Sequence, residues 1–364
     1  MCVSLPWIDP WERQDQLVAA LLDFARSQTE APILFPQTDA ALFLASRYRG
    51  RLAECMRMML ADRDLIDQPV DKRRLQALAA RHDLPVPPAQ HLRPAPGDPP
   101  PALDVPYAVV VKPLTRIPAW AALAGSGKAL RVPGRDDLAA LWPRLTKLRT
   151  EFLAQQLVRG PESRTESFHV YVDVSGAIVG EFTGRKIRTF PRDYGHSTAV
   201  EIVSLPDVAE VGRDVVARLD VRGVAKLDFK RDDHGRLHLL EINPRFNLWH
   251  HPGAVAGVNL PAMVYADVTG RERPSAERPP RHVVWCDPLG DMRAAYAQGI
   301  SPLAWLRWAR GCDAICGLSR DDPLPFLRGR LWPAVSRRVV SVARSAAASP
   351  SAPLGPPGRP GSFA

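Results

Sequence analysis

Residues 223–230 read GVAKLDFK and residues 239–246 read LLEINPRF, with DDHG at positions 232–235 between them. Polar and apolar residues alternate along the first run, which is typical of a strand that buries one face. The short glycine-containing segment that follows predicts a turn back into a second, antiparallel strand. A hairpin of this kind decides the fold class, because the rest of the chain has to be arranged around an antiparallel sheet.

The register of this hairpin decides whether its acidic side chains meet. A two-residue turn at residues 234–235 places Asp228 opposite Glu241, with about 5 Å between their Cβ atoms, whereas a three-residue turn sends the carboxylates to opposite faces. Like charges in this position are destabilising unless a cation lies between them. Asn243 follows on the face of Glu241, and two carboxylates with an amide oxygen suit Mg²⁺. The pattern predicts either a divalent-cation site or an exposed acidic hairpin relieved by a nearby arginine.

Strand and helix patterns alternate along the rest of the chain. Period-two apolar patterns indicate strands, and apolar residues at helical spacing indicate helices. The predicted strands are residues 32–36, 107–112, 130–132, 152–158, 167–174, 177–182, 223–230 and 237–242. The predicted helices are residues 11–27, 40–46, 71–82, 135–145 and 208–219, the second of them capped by residues 37–39. Antiparallel hairpins among helices predict an α+β fold for the larger domain.

The composition is that of a globular protein with room for two or three domains: 364 residues, 46% apolar and 24% charged. The net charge of +9 is mostly a C-terminal feature, since residues 323–364 hold six arginines and no acidic residue, which leaves +3 for the remainder. We therefore expect no nucleic-acid partner. The start of the chain lacks the pattern of a secretory signal, and no stretch of about 18 apolar residues is present, so we expect a cytoplasmic protein without a membrane partner. Five cysteines without metal-type spacing predict neither a disulfide framework nor a structural metal.

The quoted hairpin resembles the metal-binding hairpin of the ATP-grasp superfamily. VVVKP at 109–113 resembles the first nucleotide-binding strand of that superfamily, and GSGK at 125–128 resembles its glycine-rich phosphate loop. GRKIR at 184–188 resembles a later basic strand of the superfamily, and AGVNLP at 256–261 is the last motif of the ordered set. The ordered set covers about residues 30–330 and is most similar to the carboxylate-amine ligase branch that includes D-aspartate ligases.

The resemblance implies a nucleotide site. Lys112 would contact the α- and β-phosphates, the glycines of the loop would let backbone N–H groups approach phosphate oxygens, and Glu162 would bind the ribose hydroxyls. Gln156 stands where an acidic residue is common in the family. A Walker A loop is disfavoured, because Ala122 and Ala129 occupy positions where it needs Gly and Ser or Thr. The implied cofactor-binding residues are Lys112, Gly125, Ser126, Gly127, Lys128, Gln155, Gln156, Leu157, Val158 and Glu162.

Three further residues are the predicted catalytic groups. Lys186 and Arg188 alternate on one face of a predicted strand, where they would neutralise the γ-phosphate during transfer or form a solvated basic edge. Arg245 would form a bidentate hydrogen-bonded pair with the acyl phosphate or the substrate carboxylate. The histidines at positions 169, 196, 250 and 251 have no metal-type companions, and we interpret them as polar packing or substrate-wall residues.

The resemblance implies a ligase that uses ATP with Mg²⁺ or Mn²⁺. Such an enzyme activates a small carboxylate as an acyl phosphate and transfers it to a small-molecule amine. Two alternatives stay open: bicarbonate as the activated carboxylate, and a nucleotide-binding regulatory protein without turnover. The sequence leaves a homodimer open as well.

The expected domain organisation follows from the resemblance and from nine prolines between residues 84 and 106, which exclude a helix or a central strand. The implied fold is an ATP-grasp fold, with two α+β subdomains holding the nucleotide, preceded by a truncated α/β Rossmann-like domain. The expected segments are the partial α/β domain at 1–84, a linker at 85–106, the ATP-grasp domain at 107–275, a helical extension at 276–333 and a basic, disordered tail at 334–364.

Overall fold

The computed structural model describes residues 4–66, 72–115, 117, 119–124, 129–192, 195–318 and 321–331. The chain divides into two compact units, residues 1–316 and residues 317–364. The predicted phosphate loop at 125–128 and the predicted tail at 334–364 lie outside the described residues. Those two expectations, and the predicted domain boundaries, therefore stay predictions.

Among the described residues of the first unit, eleven strands form two sheets. They are β1 (Ala89–Leu92), β2 (Val109–Pro113), β3 (Leu130–Val132), β4 (Phe152–Gln156), β5 (Thr165–Val172), β6 (Ile178–Phe190), β7 (His196–Ile202), β8 (Gly223–Arg231), β9 (Leu237–Asn243), β10 (Val283–Cys286) and β11 (Ala314–Ile315). The small sheet has the order β1-β4-β2-β3 and the large sheet the order β11-β10-β7-β6-β5-β8-β9. Every pairing is antiparallel except that of β10 with β11.

Helices precede, separate and follow these strands. In the first unit they are α1 (Gln14–Arg26), α2 (Asp39–Arg47), α3 (Arg49–Ala53), α4 (Arg63–Ile66), α5 (Lys72–His82), α6 (Trp120–Ala124), α7 (Arg135–Thr146), α8 (Pro206–Arg218), α9 (His250–Val255), α10 (Leu260–Thr269), α11 (Pro288–Ala297) and α12 (Pro302–Ala309). The second unit contributes α13 (Leu324–Phe326), followed by a π-helical turn at Leu327–Leu331. In the part of the chain that the structure describes, no helix combines the length and the apolar composition that crossing a bilayer requires.

The small sheet packs one face on helices α6 and α7. Val109, Val111 and Phe152 of the sheet form a core with Leu138 and Trp142 of α7. The segment predicted as a linker contributes the edge strand β1 to this sheet. The prolines there are compatible with a strand because β1 lies at the edge of the sheet, where fewer N–H donors are needed.

The large sheet has two faces of different character. On β8, Ala225, Leu227 and Phe229 point into a core with α8, and the alternating residues Lys226 and Asp228 point to the opposite face. A second apolar cluster covers part of that opposite face. Its members include Tyr171, Phe182, Val200, Trp249, Met263, Val264 and Trp285. A polar surface therefore remains at the end of the face where β8 and β9 lie.

The segment before the small sheet is mainly helical. The strand predicted at residues 32–36 reduces to a single parallel bridge between Ile33 and Arg57. The helix predicted to follow it is present, and Thr38 caps it by accepting a hydrogen bond from the N–H of Ala41 at 3.1 Å. A Rossmann-like arrangement is thus not confirmed among the described residues of this segment.

The predicted helical extension also contains strands. Residues of β10 pair with β7, and β11 pairs with β10, so the extension enlarges the main sheet as well as adding α11 and α12. The prediction missed these strands because β11 has two residues and pairs with a segment almost thirty residues away, which local periodicity does not indicate.

Candidate active site

The β8–β9 hairpin brings Asp228 and Glu241 directly opposite each other, as predicted. The turn, however, has three residues: the N–H of Asp232 donates to the carbonyl of Arg236 at 2.9 Å. A three-residue turn alone would separate the carboxylates. An irregularity in the pairing next to Asp228 leaves Leu240 as an extra residue on β9, and this bulge restores the register. Of the two turns that the sequence left open, the three-residue turn is the one present, and the bulge nevertheless places the two carboxylates opposite each other.

Asp228 is buried and ionised. The Oγ of Ser167 donates to Oδ1 of Asp228, and the Nζ of Lys226 lies 2.8 Å from Oδ2. Burial on its own would raise the pKa of Asp228, but the charges of Lys226 and Lys186 and the two hydrogen bonds outweigh it, so the pKa lies well below its ordinary value. An ionised carboxylate, whose oxygens can act as metal ligands, therefore faces the polar end of the sheet.

Asn243 and Arg245 connect the end of β9 to the N-terminal segment. Asn243 is buried, and its Oδ1 lies 3.4 Å from Nη2 of Arg245. Arg245 also donates from Nε to Asp39, the first residue of α2, and from Nη1 to the carbonyl of Gln37 at 3.4 Å. The N-terminal segment thus lies against the predicted metal ligands, where it can form one wall of a substrate cleft.

The predicted ligand set fits a hard divalent cation whose remaining ligands come from elsewhere. Asp228, Glu241 and Asn243 present only oxygen ligands, and Asp228 is pre-ionised, which suits Mg²⁺. Among the described residues, no group of three His, Cys, Asp and Glu side chains could hold a metal by itself. Two carboxylates with one amide oxygen leave Mg²⁺ to complete its shell with phosphate oxygens and water.

Lys186 faces the same side of the sheet as the carboxylates. Gly184, Ser167, Asp228 and Glu241 form one row across β6, β5, β8 and β9. Lys186 lies two residues after Gly184 on β6, so its side chain projects from the face of this row. Its charge contributes to lowering the pKa of Asp228, which indicates that the two groups are close.

Arg188 does not share the face of Lys186, which corrects the prediction. The pairing of β6 with β7 shifts after Lys186, so Lys186 lies opposite Val200 but Arg188 lies opposite Ala199. The guanidinium of Arg188 forms a bidentate pair with the fully buried Asp291 of α11, and its Cζ lies 3.7 Å from the centre of the Trp308 ring. Its hydrogen-bonding groups are thus directed to the C-terminal helices.

The small sheet presents Lys112 and Gln155 on one face. Lys112 lies opposite Leu153 and donates from Nζ to Oε1 of the buried Gln155 at 2.9 Å. The N–H of Gln156 donates to the carbonyl of Pro88 at 2.8 Å, and the N–H of Leu157 donates to that of Ala108 at 2.9 Å. The family resemblance implies that the backbone of residues 153–158 binds adenine, and because these two N–H groups are engaged, the N–H of Val158 is the remaining candidate donor of residues 156–158.

A cavity of about 370 Å³ lies between the end of β4 and the turn of the β8–β9 hairpin. Residues 106–108 and 156–159 line one side, and Asp232, His234 and His238 line the other. Next to it, Glu162 lies 3.5 Å from Nζ of Lys230, two residues beyond Asp228 on the same face of β8. The predicted ribose residue is therefore close to the strand that carries the predicted metal ligands.

Several residues of this face were not predicted from the sequence. Lys226 and Lys230 flank Asp228 at spacings of two, a pattern that could have identified them. His169 and His250 are buried, and their four ring nitrogens have no hydrogen-bond partner among the described residues. Burial and the charge of Lys226 lower the pKa of both, that of His250 to about 3, so both imidazoles are neutral.

One protein family matches the region just described. The family described as ATP-grasp in the biosynthetic pathway with Ter operon matches residues 172–288, from the end of β5 to the start of α11. A comparison with curated proteins gives no match. Among solved structures, L-amino acid ligase from Bacillus licheniformis has a TM-score of 0.57 and 14% identity, covering 78% of this chain and 67% of that one.

Other solved structures with a similar fold carry different enzyme names. The biotin carboxylase domain of Hydrogenobacter thermophilus 2-oxoglutarate carboxylase, in complex with MgADP, ADP and bicarbonate, has a TM-score of 0.58 and 15% identity, covering 78% of this chain and 63% of that one. N5-carboxyaminoimidazole synthetase from Staphylococcus aureus has a TM-score of 0.52 and 15% identity, covering 77% of this chain and 71% of that one. The chain therefore has the ATP-grasp fold, as the sequence resemblance predicted.

Proposed function

We propose that this chain is an ATP-dependent carboxylate-amine ligase that forms an amide or peptide bond through an acyl phosphate and releases ADP and phosphate. The observation that carries the proposal is the row of Asp228 and Glu241 across β8 and β9, with Asn243 beside it and Lys186 on the same face. Two carboxylates held opposite each other are unfavourable unless a cation separates them. Their placement therefore supports a site for a metal-bound phosphate.

The nucleotide would bind between the two sheets. Lys112, on the small sheet, would hold the α- and β-phosphates, and Glu162 would accept hydrogen bonds from the ribose hydroxyls. Val158 would contact adenine beside the 370 Å³ cavity. Residues 125–128, which include Lys128, would form the phosphate loop. Asp228, Glu241 and Asn243 would hold Mg²⁺ or Mn²⁺, which supplies charge neutralisation at the β- and γ-phosphates.

Phosphoryl transfer would then depend mainly on position and charge. An oxygen of the substrate carboxylate attacks the γ-phosphorus, and the bond from that phosphorus to the bridging oxygen of ADP breaks. Lys186 would stabilise the charge on the transferring group, and Arg245, braced by Asp39, would orient the carboxylate. An amine then attacks the acyl carbon, loses a proton and expels phosphate. No protein nucleophile is required for this sequence of steps.

Arg188 enters the proposal in a different role from the one predicted. Its bidentate pair with Asp291 leaves its guanidinium engaged on the far side of a strand irregularity. We therefore propose that it anchors the end of β6, and that Lys186 is the residue of this strand that contacts the nucleotide.

A turnover panel tests the proposal. The purified chain, ATP and Mg²⁺ are incubated with amino acids and other small carboxylates, each with and without a panel of amines, while ADP release and product mass are measured. We expect ADP release that requires both an acid and an amine, and an amide product. ADP release with bicarbonate alone would favour the alternative in which bicarbonate is the activated carboxylate, as in an enzyme of the biotin carboxylase kind. ATP binding without turnover on any pair would favour a regulatory protein.

A further inference from the structure

Lys226 lies among the side chains proposed to hold the divalent cation. It precedes Asp228 by two residues on β8, projects from the same face, and is paired in register with Asn243 of β9. Its Nζ is 2.8 Å from Oδ2 of Asp228, and the two side chains are only 10% and 8% exposed. The ammonium therefore contacts one proposed ligand and lies beside another.

Among the described residues, no second carboxylate is in direct contact with Lys226. Its Nζ lies 5.0 Å from the centre of the Trp249 ring, and the residue opposite it on β5 is His169, whose buried ring stacks on Phe182. Glu241 acts on it only through its more distant charge. Asp228 is thus the anion that compensates the buried ammonium, and Lys226 is the cation in direct contact with Asp228.

A buried carboxylate needs a positive partner, because an unpaired charge in this environment is strongly unfavourable. A bound divalent cation would supply that charge. A divalent cation and the ammonium repel each other when both lie within contact distance of the same carboxylate, and this repulsion is strong away from water. The two partners are therefore alternatives.

We propose that Lys226 is an internal counter-ion of the cation site: it neutralises Asp228 while no divalent cation is bound, and the cation has to displace it on binding. The proposal rests on the proposed function only through the metal ligands. If the paired arrangement holds about nine-tenths of the metal-free molecules, the apparent affinity for the cation is lowered about tenfold. Lys226 thereby sets the cation concentration at which the site fills.

Binding of Mn²⁺ alone, measured by electron paramagnetic resonance without nucleotide, tests the proposal. We expect Lys226→Gln to bind Mn²⁺ about tenfold more tightly than the parent, and Lys226→Arg, which keeps the charge, to bind about as the parent does. Lys186→Met is the matched control. It removes a nearby positive charge that is not ion-paired with Asp228 among the described residues, so its gain in affinity should be smaller.

Thermal melting in EDTA gives a second readout that does not depend on catalysis. Lys226→Gln should melt below the parent in EDTA, because Asp228 loses its partner, and saturating Mn²⁺ should raise its melting temperature by more than it raises that of the parent. The double variant Lys226→Gln, Asp228→Asn should recover most of the loss in EDTA.

The possible failures are distinguishable. Mn²⁺ binding by Lys226→Gln that is no tighter than the parent's, or no tighter than that of Lys186→Met, overturns the counter-ion role. Lys226→Met makes the same comparison if the Gln variant does not fold. Parental Mn²⁺ binding by Asp228→Asn would instead remove the metal site, and with it the proposed function.

Discussion

Arg188 and Asp291 form a buried ion pair that joins the end of β6 to α11. Nε and Nη2 of Arg188 lie 2.8 and 2.6 Å from the two carboxylate oxygens. Asp291 is fully buried and also accepts hydrogen bonds from Oγ1 of Thr198 at 2.9 Å and Nε1 of Trp305 at 2.8 Å. The segment that follows the matched family region is therefore fixed to the strand that carries Lys186.

Replacing Asp291 with Asn should lower the free energy of unfolding by about 3 kcal/mol, because the buried guanidinium of Arg188 keeps its charge and loses its anionic partner. Urea denaturation followed by circular dichroism measures this change. Asp214→Asn is the control, since Asp214 pairs at 2.9 Å with Arg218 on an exposed helix surface and should cost less than about 1 kcal/mol. Equal losses for the two variants would contradict a structural role for the buried pair.

Replacing Glu241 with Gln should abolish Mg²⁺-dependent ADP formation and leave the fold intact. Glu241 is exposed and lies opposite another carboxylate, so its charge contributes little to stability until a cation is bound. The measurements are ADP release and the melting temperature in EDTA, which should be no lower than the parent's. The exposed Glu272→Gln serves as the control and should change neither quantity. Full turnover by the Glu241 variant would remove this residue from the metal site.

Two strand irregularities explain where sequence reasoning succeeded and where it failed. Leu239 and Leu240 are adjacent apolar residues that interrupt the period-two pattern of β9, which is a visible sign of a bulge. On β6, Lys186 and Arg188 keep the period-two pattern, so their different environments could not be read from local spacing. Register and face depend on pairing with a neighbouring strand, and a single sequence reports that pairing only indirectly.

The candidate site was predictable to the extent that its residues lie on one hairpin. Counting along the two adjacent strands allowed Asp228 and Glu241 either to meet or to lie on opposite faces, and the bulge at Leu240 makes them meet. The contact of Arg245 with Asp39 and the pair of Arg188 with Asp291 join segments 206 and 103 residues apart, and no local pattern predicts them. The strand pattern could have placed Lys226 on the face of Asp228, but only the structure shows the 2.8 Å contact between the two side chains.

The unfolding free energy should depend on pH through the buried imidazoles. Burial and the charges of Lys226 and Arg245 lower the pKa of His250 from its ordinary value of 6.5 to about 3. Between these two values the unfolded chain binds more protons than the folded one, so the protein loses stability as the pH falls from 6.5 toward 3. One such group contributes at most about 1.4 kcal/mol per pH unit.

His250→Gln should therefore make the decrease in unfolding free energy between about pH 6 and pH 4 shallower. Chemical denaturation at a series of pH values measures the slope. His234, exposed in the β8–β9 turn, provides the control, and His234→Gln should keep the parental slope. A slope for His250→Gln equal to that of the parent would show that this imidazole does not stay neutral in the folded protein.

Lys186 and Lys112 should differ in the step they affect. If Lys186 meets the γ-phosphate while charge redistributes, Lys186→Met should lower kcat by about 10²-fold or more, with a smaller change in the KM for ATP. Lys112, hydrogen-bonded to Gln155 on the small sheet, would hold ground state and transition state alike, so Lys112→Met should mainly raise the KM for ATP. Lys147→Met, at an exposed position after α7, should leave both constants unchanged.

Steady-state kinetics on the three variants, with circular dichroism to verify folding, separates these roles. The expected pattern follows from the placement of the two lysines on different sheets, of which only the large one carries Asp228 and Glu241. A charge beside those carboxylates is positioned for the phosphate that is transferred, whereas a charge on the small sheet is positioned for phosphates that stay on the nucleotide. A parental kcat for Lys186→Met would show that the basic strand only borders the site, and the catalytic role would have to be assigned elsewhere.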